Sequence, residues 1–138
     1  MTNMSLAQSY VLKSSKRLKA LAVLLEEQDY SDVVREAQEI VELALKGILR
    51  QMGIEPPKQH DVGDLLRLYA SRLPADLQDM VDGVAGDSKW LRKERELTFY
   101  GDTDFVPTEE YTLEDASRAQ AAAERAVEMA RRTIPDPA

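Results

Sequence analysis

At 138 residues the chain has the length of one domain that can bury a core without covalent staples, and its lack of cysteine excludes a disulfide framework and thiolate chemistry. Its 25 acidic residues against 18 basic ones give a net charge of −7, which repels nucleic acid on average and confines any RNA or nucleotide contact to a local surface. No apolar run approaches the ~20 residues needed to cross a bilayer, and residues 1–5 lack the basic start and apolar run of a signal peptide. The expectation is a soluble, cytoplasmic protein with no membrane partner.

Helical spacing of apolar residues runs through almost the whole chain, and strand-type alternation is scarce. The first predicted helix covers residues 5–28, with Leu6, Tyr10, Leu18, Leu21 and Leu25 on one face and Lys13, Lys16, Arg17 and Lys19 on the other. After a short turn with a capping serine or aspartate, a second helix covers residues 32–52. Its inward stripe is Val34, Ala37, Val41, Ala44, Ile48 and Met52, and Glu42 and Lys46 have the spacing of a surface ion pair. Gly53 and the Pro56-Pro57 pair stop it. Asp61 is the predicted N-cap of a short third helix through Leu65, Leu66, Leu68 and Tyr69.

Pro74 separates that helix from Leu77, Met80, Val81 and Val84, and Gly83 and Gly86 bracket a weak point. A basic helix is expected to begin near Asp87 and Ser88, burying Trp90, Leu91 and Leu97. A loop over residues 101–111 leads to the capping box of Thr112 and Asp115. The last helix places Leu113, Ala116, Gln120, Ala123, Val127, Ala130 and Ile134 in alternating steps of three and four, the pattern of a bundle seam, before Pro135 and Pro137 end it. Together these elements predict an all-α, up-down four-helix bundle with an additional short helix, in a single domain over residues 1–138.

The chemistry concentrates between residues 89 and 102. Lys89, Arg92, Lys93 and Arg95 run into Phe99, Tyr100, Gly101 and Asp102, a local reversal of charge in an acidic protein. Arg92 and Arg95 stand three apart and so share a helix face, where two guanidinium forks can hold one phosphate or two adjacent ones. Tyr100 offers a ring for stacking or a hydroxyl for hydrogen bonding, and Asp102 can accept from a ribose or base. The alternative is that the arginines pair with acids of facing helices, which would also position such a site. A metal site is poorly supported, with one histidine and no cysteine, and no cofactor is expected: the six glycines are isolated and form no phosphate-binding loop. His60 precedes the capping Asp61, where a structural role is expected of it.

Residues 30–37 (YSDVVREA), 42–49 (ELALKGIL), 56–66 (PPKQHDVGDLL), 90–95 (WLRKER) and 99–102 (FYGD), taken in this order, resemble the HEPN family, named for its occurrence in higher eukaryotes and prokaryotes. The resemblance spans most of the chain and implies an all-α bundle that forms a homodimer with a composite site. Many members look like metal-independent ribonucleases, in which an Arg holds the scissile phosphate and a His, separated from it by four to six intervening residues, moves the proton. Here the positions at that spacing are Leu97, Thr98 and Phe99 after Arg92, and Tyr100, Gly101 and Asp102 after Arg95. The resemblance therefore implies the phosphate-binding half of the site without its usual proton-transfer half. It also implies a minimal nucleotidyltransferase as partner in a toxin–antitoxin-type module, with Tyr100 the nearest acceptor for modification. Three functions follow. One is a binding module for that partner and for a nucleotide or RNA phosphate. Another is an endoribonuclease using Arg95 with Tyr100 or a different proton donor. The third is a plain helical scaffold.

Overall fold

The computed structural model of the chain describes residues 4–56, 58, 61–100 and 110–137; of residues 95–100 it describes the helical backbone alone. Every element within these residues is helical: α1 (Leu6–Glu26), α2 (Tyr30–Gln51), the short α3 (Val62–Leu68) with a 3-10 turn at Ala70–Arg72, α4 (Ala75–Tyr100) and α5 (Leu113–Thr133). The four long helices alternate in direction. Pairs of contacts, Gln8 to Pro135 with Ser15 to Arg131 and Asp76 to Arg132 with Asp87 to Arg125, set α5 antiparallel to α1 and to α4, and the short turn after α1 sets α2 antiparallel to α1. α2 and α5 pack directly on each other through the middle, and α1 and α4 flank them on opposite sides.

α1 begins at Ser5, whose hydroxyl accepts from the Gln8 backbone N–H at 3.1 Å while the Gln8 side chain accepts from the Ser5 N–H at 2.9 Å. This capping box satisfies two donors that the first turn of a helix leaves without partners. The Gln8 amide also donates to the Pro135 carbonyl, so the same side chain ties the start of α1 to the segment after α5. The buried face of α1 keeps the predicted Leu18, Leu21 and Leu25 but leaves Leu6 outside it. Ala7, Ser14 and Leu21 are buried, with Val11, Leu18 and Leu25 half-buried in the same seam, whereas Leu6 is 48% exposed. That seam steps by three and four, and its two small residues let α1 approach its neighbours closely. Leu6 and Tyr10 alone tilt the expected face away from it. α1 stops at Glu26 rather than at residue 28 because Gln28 turns left-handed (φ 61°), and the Asp29 N–H closes onto the Leu24 carbonyl at 3.0 Å.

α2 buries twelve of its 22 residues, far more than one stripe. Beside the expected Val34, Ala37, Val41, Ala44 and Ile48 it buries Val33, Ile40, Leu45, Gly47 and Leu49, because α1, α3, α4 and α5 all pack on it. It begins at Tyr30, two residues ahead of the expected start, without a side-chain cap; the neighbouring Asp29 carboxyl raises the pKa of Asp32 instead. Its far end is built as expected: Gly53 takes φ 79°, its N–H bonds the Arg50 carbonyl at 3.0 Å, and the Ile54 N–H reaches back to Leu49 at 2.9 Å. Asp61 caps α3, its side chain accepting from the Gly63 N–H at 2.9 Å. At Gly63 α3 lies close against α4. A Cβ there would stand 3.1 Å from the Ala85 backbone, so only glycine fits without displacement.

α4 corrects the expected break at Gly83 and Gly86: the helix runs unbroken from Ala75 to Tyr100. Both glycines lie on its exposed side with open space beside them, while Leu77, Val81, Val84, Ala85, Ser88 and Leu91 are buried on the other. Burial on the inner face outweighs the ~1 kcal/mol that each glycine costs a helix. Replacing both glycines with alanine is therefore expected to stabilise the protein by about 1–2 kcal/mol, seen as a thermal midpoint raised by about 3–6 °C. A lowered midpoint would mean that the helix needs glycine at those positions.

α5 carries the predicted capping box, with the Thr112 hydroxyl accepting from the Asp115 N–H at 3.2 Å and the Asp115 carboxylate accepting from the Thr112 N–H at 3.0 Å. Its buried face is wider than the predicted seam. Ala119, Ala122, Ala126 and Met129 are buried as well, Gln120 is only half-buried, and Leu113 is 56% exposed. On the side facing α4, arginines seven apart lock the two helices together. Arg118 stacks 3.8 Å from the Trp90 ring centroid, Arg125 bonds Asp87 at 2.9 Å, and Arg132 bonds Asp76. No helix among the described residues is long and apolar enough to cross a membrane.

Candidate functional site

The C-terminal half of α4 carries the basic stretch, and the helices around it determine how its cations are held. Arg92 Nη1 donates to Glu42 Oε1 of α2 at 3.0 Å, and the Glu42 side chain is only 14% exposed. Among the described residues Glu42 pairs with Arg92 rather than with Lys46, the partner expected from their spacing. The reason is position: Glu42 lies on the side of α2 that meets α4, where a carboxylate losing water needs a charged partner close by. Lys89 lies 3.8 Å from Asp64 of α3, a looser contact, and Lys93 is exposed.

Two further contacts frame this half of α4. The Tyr111 hydroxyl donates to Glu94 Oε2 at 3.0 Å and lies 3.3 Å from the Glu94 carbonyl, joining the segment ahead of α5 to α4. Burial, and then the bond to Glu94, push the Tyr111 phenol well above its ordinary pKa, so it remains a protonated donor. It cannot serve as a base near neutral pH. On the neighbouring turn Arg118 covers Trp90. Sequence reading misses Glu42, Tyr111 and Arg118 as members of this region. Only the capping box beside Tyr111 signals any of them.

Of the predicted site residues, Arg92 is held on α2 as described. The helical backbone continues through Arg95 and Tyr100, which puts Arg95 one turn beyond Arg92, a rise of ~4.5 Å along α4. Helix geometry thus keeps these two positions close. Asp102 and His60 lie outside the described residues, and so do the side chains of Arg95, Leu97 and Tyr100. The described residues contain no group of three or more histidines, cysteines and acids placed to hold a metal ion.

A family model described as the HEPN domain matches residues 7–133. The chain belongs to the HEPN family. No curated protein matches it significantly. Its fold is similar to the crystal structure of ST0689, an archaeal HEPN homologue, with a TM-score of 0.70, 23% identity, and coverage of 96% of this chain and 100% of that one. It is also similar to TT1696 from Thermus thermophilus, with a TM-score of 0.73, 24% identity, and coverage of 95% and 100%. At these identities the likeness speaks for the fold. The all-helical bundle expected from the sequence is thus the architecture of HEPN proteins; in this chain α4 supplies the basic stretch and α2 the acid that anchors it.

Proposed function

We propose that this HEPN protein is a binding module: a homodimer, one domain per chain, that docks a minimal nucleotidyltransferase and holds a nucleotide or RNA phosphate at Arg92, Arg95, Tyr100 and Asp102. The observation that carries the reading is the Arg92–Glu42 pair at 3.0 Å, which fixes one guanidinium a single turn from the second arginine on an uninterrupted helix. A preorganised fork loses less conformational freedom when it meets a phosphate. The family's ribonuclease pairing of Arg with His has no counterpart at the required spacing after either arginine. Phosphate binding without rapid strand cleavage is the chemistry left. The strong net negative charge of the chain suits a site of limited extent over a long RNA-binding surface.

The test is direct. Purified protein is mixed with structured and unstructured RNA, binding and strand cleavage are measured together, and Arg95→Ala is run in parallel. Binding is expected to weaken by about 1.5–3 kcal/mol in the variant, as for a lost charge-assisted hydrogen bond, and to fall with added salt. No cleavage is expected from either protein. Cleavage by the parent that disappears in Arg95→Ala would make the protein an endoribonuclease with an unusual proton donor. Equal binding by parent and variant would place the phosphate site elsewhere. Light scattering of the same sample checks the dimer.

A further inference from the structure

The outer side of α1 carries a second seam. Leu12, Lys16, Lys19 and Val23 stand in steps of four, three and four, the spacing of residues that share one helix face, and all four are exposed. The buried seam of Ala7, Val11, Ser14, Leu18, Leu21 and Leu25 has the same period and packs into the bundle. α1 is thus patterned for contact on two sides, and the bundle covers one of them. From Leu12 to Val23 the open seam runs three turns, ~16 Å along the axis.

Single apolar residues at a surface are ordinary; the features beside these give them a use. Leu12 is a wall of a cleft of about 330 Å3 between the start of α1 and the segment after α5, with Met4, Val11, Ile134 and Pro135 as its other apolar walls. Such a cleft can seat an apolar anchor side chain from a partner. Arg131 stands at the same cleft and donates to the Ser15 hydroxyl at 3.0 Å, with Asp136 the acid on its rim.

The charge of the seam says what would cover it. From Leu6 to Leu25 α1 has four cations and no acid, in a chain of net charge −7. Glu36 of α2 holds Arg17 at 2.7 Å, whereas Lys13, Lys16 and Lys19 form no ion pair among the described residues. An acidic surface complements this face. A second copy of the chain, meeting it about a two-fold axis, would set lysines against lysines. Two apolar residues three turns apart, with lysines between them, make no continuous apolar face for a membrane. They also offer a nucleic acid no ring to stack on.

We propose that the outer face of α1 docks an acidic amphipathic helix of a partner protein. One apolar side chain of that helix enters the cleft beside Leu12, its carboxylates meet Lys16 and Lys19, and a second apolar side chain covers Val23. The apolar ends supply most of the affinity, and the exposed charge pairs select the partner. The inference does not rest on the function proposed above, because no residue of α4 takes part.

The probe is a synthetic helical peptide with leucine at i and i+11 and glutamate at i+4 and i+7, a pattern that reads the same in either direction. A second peptide carries lysine in place of glutamate. Each is labelled and titrated with the full chain, anisotropy giving affinity and amide resonances the location. The acidic peptide is expected to bind and to shift the amides of Leu12, Lys16, Lys19 and Val23, while the basic one does not bind. Lys16→Glu with Lys19→Glu should weaken the acidic peptide at least about tenfold, since like charges then face each other, and should let the basic peptide bind. Lys46→Glu with Lys58→Glu, the same change of net charge away from α1, should do neither. Leu12→Ser should weaken the acidic peptide about tenfold through lost apolar contact. All the α1 substitutions are at exposed positions, and circular dichroism checks that each variant is folded. No binding of the acidic peptide at millimolar concentration would overturn the proposal, as would shifts confined to other helices or equal affinity in the charge-reversed variant. So would a face that takes up RNA, anionic phospholipid vesicles or a second copy of the chain in place of the peptide, with that uptake lost in the charge-reversed variant.

Discussion

Ala123→Leu is expected to destabilise the protein by about 1–3 kcal/mol, lowering the thermal midpoint of a chain this size by about 3–10 °C. Ala123 has no exposed surface, and it sits on α5 among Ala116, Ala119, Ala122, Ala126 and Ala130, all equally buried. A helix face made of alanines brings α5 and α2 close together, and three added carbon atoms have no space between them. The cost would appear as a shifted rotamer, a displaced α5, or both. The contrast is a leucine at Ala121, two residues earlier and only half-buried, which should cost less. A midpoint unchanged or raised in Ala123→Leu would show that α5 has room at this position.

The second large effect concerns the pair that anchors the proposed phosphate site. Arg92→Ala leaves the Glu42 carboxylate at 14% exposure without its cation, and is expected to cost about 1–3 kcal/mol, the penalty of an unsatisfied buried polar group. Glu42→Gln alone should cost less, because a neutral amide tolerates the site and Arg92, at 38% exposure, can still be hydrated. The double variant should recover part of the loss, giving a coupling energy of about 0.5–3 kcal/mol in a double-mutant cycle measured by chemical denaturation. Simple additivity of the two single changes would mean that Glu42 does not hold Arg92. The same cycle measured by RNA binding separates the two roles of Arg92. Adding Glu42→Gln to Arg92→Ala should restore part of the stability but none of the affinity for phosphate.

The two glycines of α4 illustrate where local signals mislead. Gly83 and Gly86 lower helix propensity, and propensity alone predicts a break near residue 87. The inner face of the same segment reads Leu77, Val81, Val84, Ser88 and Leu91, all buried, and burial wins. α1 misleads in the opposite way, since its leucine content points to Leu6 while the packed seam runs through Ala7 and Ser14. Small residues carry little hydrophobic signal, yet they occupy the closest contacts because of their size.

The class of fold and the positions of its punctuation are legible without coordinates. The helical period of the apolar residues, the caps at Asp61 and Thr112, and the turn at Gly53 are local properties, written within a few residues of where they act. The basic stretch of α4 is equally legible, because charge is a property of composition. Which cations are held, and by what, emerges only when the helices are packed. Glu42 meets Arg92 across 50 residues, Arg125 meets Asp87 across 38, and Tyr10 comes to lie on Gly47 beside Arg50 from another helix. Such pairings depend on the rotation and depth of whole helices. Those are set by the sum of many small packing contacts, with α2 enclosed by four neighbours, and no short window of sequence contains that sum.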